Sequence, residues 1–93
     1  MKHANVKSTL PGPNAQQLLD RRHNIVPKGV SFGVPTFVQS AAGALVTDVD
    51  GNTFIDFAGA IGTINVGHCH PKVQKVLKDQ VDRYIHTGFN VMM

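Results

Sequence analysis

Apolar residues recur along this chain in changing rhythms, and each rhythm predicts an element. Val73, Val76, Leu77, Val81, Tyr84 and Ile85 follow one another at steps that are mostly three and four, with Lys72, Lys75, Lys78, Asp79, Asp82 and Arg83 mostly on the remaining face. That spacing predicts an amphipathic α-helix. Pro71 suits its first position, His86 falls in its last turn and Gly88 is placed to end it. At about 1.5 Å per residue the helix is roughly 24 Å long. Upstream, three strand-like runs follow closely: Phe37 to Ala42, Leu45 to Val49 and Thr53 to Phe57. Gly43-Ala44 and Asp50-Gly51-Asn52 separate them as tight turns, so a small three-stranded antiparallel meander is expected.

The remaining stretches carry less regular signals. Residues 1–13 alternate polar and small groups, end at Pro11-Gly12-Pro13, and read as a flexible tail. Asn14 looks like an N-cap with Gln17 three residues on, the arrangement of a capping box. A helix from there would carry Leu18, Leu19 and Arg22 and fade before Pro27. Residues 27–36 form a connector rich in Gly and Pro. Residues 58–70, Ala-Gly-Ala-Ile-Gly-Thr-Ile-Asn-Val-Gly-His-Cys-His, are apolar and glycine-rich without a period of two or 3.6. Backbone that closely approaches a ligand or another chain has this composition. The fold class is therefore α+β: an N-terminal helix, the meander, then a long amphipathic helix.

Composition narrows the function classes. The 93 residues and 10.0 kDa make one small domain. The hydrophobic fraction of 42% is too high for a disordered chain. A net charge of +3, spread without a dense patch, does not point to nucleic acid. The most apolar stretch, Phe57 to Val66, is broken by Gly59 and Gly62 and falls far short of the roughly 20 residues that span a bilayer. Cys69 is the single cysteine, which excludes an internal disulfide; with no apolar leader this favours the cytoplasm.

Candidate chemistry is sparse. His68-Cys69-His70 sets three metal-ligand types side by side, but no second cluster stands at a zinc-like spacing, and the ordinary reading has His70 bordering the helix start and His68 packed or hydrogen-bonded. Asp48, Asp50 and Asp56 are read as solvent-facing or turn residues rather than paired catalytic carboxylates. No phosphate-binding glycine pattern occurs. No lysine shows the apolar enclosure that Schiff-base chemistry needs.

Several runs resemble the N-terminal portion of the class III, fold-type I pyridoxal-phosphate aminotransferases. They are Ile25 to Val30, the hairpin Thr47-Asp48-Val49-Asp50-Gly51-Asn52-Thr53-Phe54-Ile55-Asp56-Phe57, and Gly67-His68-Cys69-His70-Pro71-Lys72-Val73 about ten residues later. Phe57 to Ile61 and His86 to Val91 look most like the 4-aminobutyrate type; acetylornithine or ornithine aminotransferases and glutamate-semialdehyde aminomutase are the alternatives within the class. The resemblance covers residues 14–93. It implies a dimeric enzyme that uses pyridoxal phosphate and transfers the amino group of 4-aminobutyrate, or a similar ω-amino acid, to 2-oxoglutarate. It also implies that Ile61 contacts the substrate carbon chain, and that Asn90 lies near cofactor and substrate where such enzymes commonly carry Gln. The family's cofactor lysine, its acid at the pyridine nitrogen, its phosphate cup and its carboxylate-gripping arginine have no counterpart in these residues. The expectation for this chain alone is an inert piece with no bound cofactor that associates with itself. The alternatives of another class are a stand-alone protein-interaction module and a small metal-binding domain.

Overall fold

A computed structural model describes residues 3–88 and residue 91. The elements run α1 (Pro13–Ile25), β1 (Val38–Ala42), β2 (Leu45–Asp48), β3 (Thr53–Ile55), α2 (Gly59–Gly62) and α3 (Pro71–Val81). The strands form one antiparallel sheet in the order β1-β2-β3, the expected meander. Ala42 pairs with Leu45 around the two-residue turn, while the register slips between Val38 and Ser40. Val46 pairs with Phe54 and Thr47 with Thr53 across the second hairpin.

α1 begins one residue before the expected cap. Pro13 takes the first helical position and Gly12 the cap position, so Asn14 lies inside the helix and no capping box forms. The cap comes from a distance: both carboxylate oxygens of Asp50 accept backbone amides, from Asn14 at 2.8 Å and Ala15 at 2.9 Å. A carboxylate there satisfies orphan donors and complements the positive end of the helix dipole. The segment expected as a tail also meets the start of β3, through paired backbone bonds between Asn5 and Thr53 at 2.8 Å.

α3 is shorter than its apolar stripe. It ends at Val81, and His86 lies beyond it rather than in its last turn. The Arg83 amide bonds back to Gln80 at 3.0 Å, a tightened three-residue step. Asp79 and Asp82 stand at the negative end of the dipole, which disfavours further turns.

Among the described residues only the strands pack on one another; neither long helix lies against the sheet or against the other helix. Ala15 is the one buried hydrophobic residue among those described, and the stripe of α3 is exposed. The radius of gyration is 16.8 Å, against about 12 Å for a compact domain of this length. No helix among the described residues is long and apolar enough to cross a membrane.

Candidate functional site

Polar groups organise this molecule where apolar ones do not. Asp48 and Asn52 are the largest fully buried side chains among the described residues. Asp48, expected to face solvent or a turn, instead accepts four hydrogen bonds: from the Asp50 and Asn52 amides at 3.0 and 2.8 Å, the Asn52 side chain at 2.9 Å and the Thr36 hydroxyl at 2.9 Å. Asn52 Oδ1 in turn accepts the Lys7 and Ser8 amides at 2.7 and 3.0 Å. Burial works to raise the Asp48 pKa, but the bonds from Asn52, Thr36 and Asp50 outweigh it and the net shift is downward. The knot joins the N-terminal segment, the connector and the hairpin, and Asp50 at its tip holds α1.

The second organised region is the glycine-rich segment, which the lack of any period left without an element. Gly59, Ala60, Ile61 and Gly62 all have positive φ, so α2 is a left-handed turn. Ala60 (φ 50, ψ 47) and Ile61 (φ 56, ψ 48) carry side chains in that region. For a β-branched residue such as Ile61 this costs on the order of 1–3 kcal/mol, and it persists only where neighbours over-determine it. The flanking glycines enter and leave the turn without that penalty. Ile61 sits at the crest, 96% exposed.

Two side chains tie the ends of this loop together. Asp56 Oδ1 accepts the amides of Ala58 at 3.0 Å and Gly59 at 2.8 Å. Its other oxygen meets His68 Nε2 at 2.7 Å. The His68 contact and the Gly59 amide lower the Asp56 pKa, with the Ala58 amide adding to them against a smaller effect of burial. His68 is itself anchored: its backbone exchanges two hydrogen bonds with Gly43 at the first hairpin, at 2.8 and 2.9 Å. His68 is thus the hydrogen-bonded histidine expected from sequence, and His70 stands at the cap position of α3. The role of Asp56 was missed. Its signal was an acid directly before a glycine-rich run that ends in a histidine.

The other candidates do not converge. Among the described residues no group of three potential metal ligands forms, and the Cys69 side chain is exposed. Residues 63–70 and α3 line an open groove of about 390 Å³, with Val66, Val73 and Leu77 on its walls. His70 Nδ1, also there, is buried with no hydrogen-bond partner among the described residues. Asn90 lies outside the described residues.

Comparison with known proteins gives these features a family. The family described as aminotransferase class-III matches residues 27–93. A probable 4-aminobutyrate aminotransferase of Bacillus subtilis (strain 168) is 53% identical over 77 residues, which are 83% of this chain and 18% of that protein. This chain belongs to the class-III aminotransferases. A 5-aminovalerate aminotransferase of Pseudomonas putida is 43% identical over the same share of each chain. A solved ornithine aminotransferase from Toxoplasma gondii superposes with a TM-score of 0.72 at 26% identity, over 85% of this chain and 18% of that one. That of Plasmodium falciparum gives 0.75 at 20% identity, over 94% and 21%, a likeness of fold. This aminotransferase chain spans 18% of the length of the curated relatives it matches. Its observed helices and three-stranded sheet are the fold that the family resemblance implied.

Proposed function

We propose that this chain is the N-terminal portion of a pyridoxal-phosphate-dependent transaminase. The full-length enzyme takes the amino group of 4-aminobutyrate, or an ω-amino acid of similar length, and passes it to a 2-oxo acid such as 2-oxoglutarate. The observation that carries this reading is the family match over residues 27–93, together with identities of 53%, 40% and 39% to proteins named for 4-aminobutyrate. Within it Ile61 supplies apolar contact to the methylenes of the donor, and Asn90 stands near cofactor and substrate. Each methylene is worth about 0.8 kcal/mol, so Ile61 tunes the preferred chain length and leaves the chemistry to other groups.

Pyridoxal phosphate supplies the electron sink for the carbanion formed at the amino-bearing carbon. The residues of this chain do not by themselves fit that cofactor. Lys7, Lys28, Lys72, Lys75 and Lys78 are all exposed, and Lys75 is paired with Asp79 at 2.6 Å. None has the apolar enclosure that covalent work by a lysine needs. The groups that hold the cofactor belong to the remainder of the full-length enzyme, and this chain alone does not transaminate. The dimer that the family resemblance implies, and a cytoplasmic location that suits the exposed Cys69 thiol, complete the reading.

The test is direct. Full-length enzyme loaded with pyridoxal phosphate should convert 4-aminobutyrate in the presence of 2-oxoglutarate. The 93-residue chain, titrated with the cofactor under the same conditions, should give no new absorbance band and no turnover. A full-length enzyme inert toward ω-amino acids but active on ornithine or N-acetylornithine would replace the proposed donor.

A further inference from the structure

We propose that Asp56 and His68 are positioning residues: they hold the left-handed turn at Gly59–Gly62 in the geometry from which Ile61 meets the apolar chain of an ω-amino acid. The proposal rests on the transaminase reading above for the identity of that ligand. Its structural basis is independent of it.

The turn has no hydrophobic reason to exist. Ile61 is 96% exposed and the neighbouring Phe57 is 92% exposed, so burial within the described residues offsets none of the strain. Gly or Asn at position 61 would adopt the same backbone more readily. An exposed β-branched side chain in a left-handed conformation therefore points to something outside these residues that uses it.

What holds the turn comes from beneath. Asp56, at the entry of the loop, bonds the Ala58 and Gly59 amides with one oxygen and His68, at the exit, with the other. His68 is fixed to Gly43 by its backbone, so the first hairpin is the ground on which the loop stands. Inside the loop the Thr63 hydroxyl donates to the Ala60 carbonyl at 3.0 Å. Entry and exit meet on a single carboxylate, and removing either side chain unties them from each other while the His68 backbone stays on the hairpin. Ile61 is then still present but no longer placed, and a misplaced contact weakens ligand binding more than it alters the chemical step.

Full-length, cofactor-loaded wild type, His68→Ala, His68→Gln and Asp56→Asn should be compared. Two readouts apply: kcat and KM for 4-aminobutyrate and 5-aminovalerate, and the Ile61 methyl resonance in isoleucine-labelled protein. His68→Ala should raise KM for the preferred donor about tenfold, change kcat less than about threefold, and narrow the preference between the two donors. The Ile61 methyl resonance should move. His68→Gln, whose amide can still donate to Asp56, should recover both. If His68→Ala does not fold, Asp56→Asn carries the same comparison. An unmoved methyl resonance with unchanged donor preference overturns the latch, as does a collapse of kcat at constant KM. A wild type that uses neither donor removes the ligand assigned here, yet the methyl shift and its recovery in His68→Gln still decide whether the latch exists.

Discussion

Asp48 shows what one residue can do in a chain with almost no apolar interior. A buried carboxylate is tolerable only when its lone pairs are occupied, and all four donors to it come from the hairpin or the adjoining connector. Its folded pKa lies below the ordinary aspartate value, as does that of Asp56. The unfolded chain therefore binds protons more tightly than the folded one. The stability these groups contribute is complete above the unfolded value of about 3.9 and is lost as pH falls through the lower folded values. Melting temperature of the full-length enzyme should accordingly drop below about pH 4, and Asp48→Asn should flatten part of that slope. The same variant turns one acceptor into a donor against Asn52 and Thr36, which should cost about 1–3 kcal/mol at neutral pH by denaturant unfolding. Equal stability of wild type and variant at neutral pH would mean that the knot contributes nothing.

Among elements, α1 illustrates a dependence that spacing along the sequence does not reveal. Its apolar pattern marks a helix, and Asn14-x-x-Gln17 marks a local cap. The cap instead arrives from Asp50, 36 residues away in sequence from Asn14, a contact that exists only after the hairpin has formed. Gly12 must stay small for it to approach, because a Cβ there would lie 2.4 Å from the Asp50 carboxylate carbon. Gly12→Ala should thus displace the cap and lower stability by about 1 kcal/mol, with loss of helical circular dichroism; a neutral effect would show that the carboxylate is not holding the helix. The three strands and both long helices were legible because turn residues and apolar periods are local signals. The start of α1, the buried state of Asp48 and the left-handed turn were not, since each depends on a partner outside its own element. Ile61 was singled out only through family resemblance; nothing in its neighbours' periodicity marks a strained crest. The Asp56–His68 tie was half legible, as a hydrogen-bonded histidine with no partner assigned.

At the scale of the whole molecule, the faces left open matter more than those closed. The radius of gyration of 16.8 Å exceeds the value of about 12 Å for a compact chain because the helices flank the sheet without packing on it. Val76, Leu77 and Val81 of α3 are 66%, 58% and 61% exposed, and Ile85 beyond it 84%. A helix of 11 residues is marginal in water, and most helical stability comes from packing an apolar face. In the full-length enzyme the remainder of the polypeptide is available to cover that face. In the isolated 93-residue chain the same stripe on a second copy is the apolar surface at hand, so helix formation and association should be coupled. Helical circular dichroism should then rise with protein concentration, in step with the mass from sedimentation equilibrium. Val76→Lys with Leu77→Lys should suppress both, because two desolvated ammonium groups in the contact oppose it more strongly than the lost apolar area alone. A monomer whose helicity is high and constant across concentration would contradict the coupling, and with it the claim that α3 needs a partner to persist.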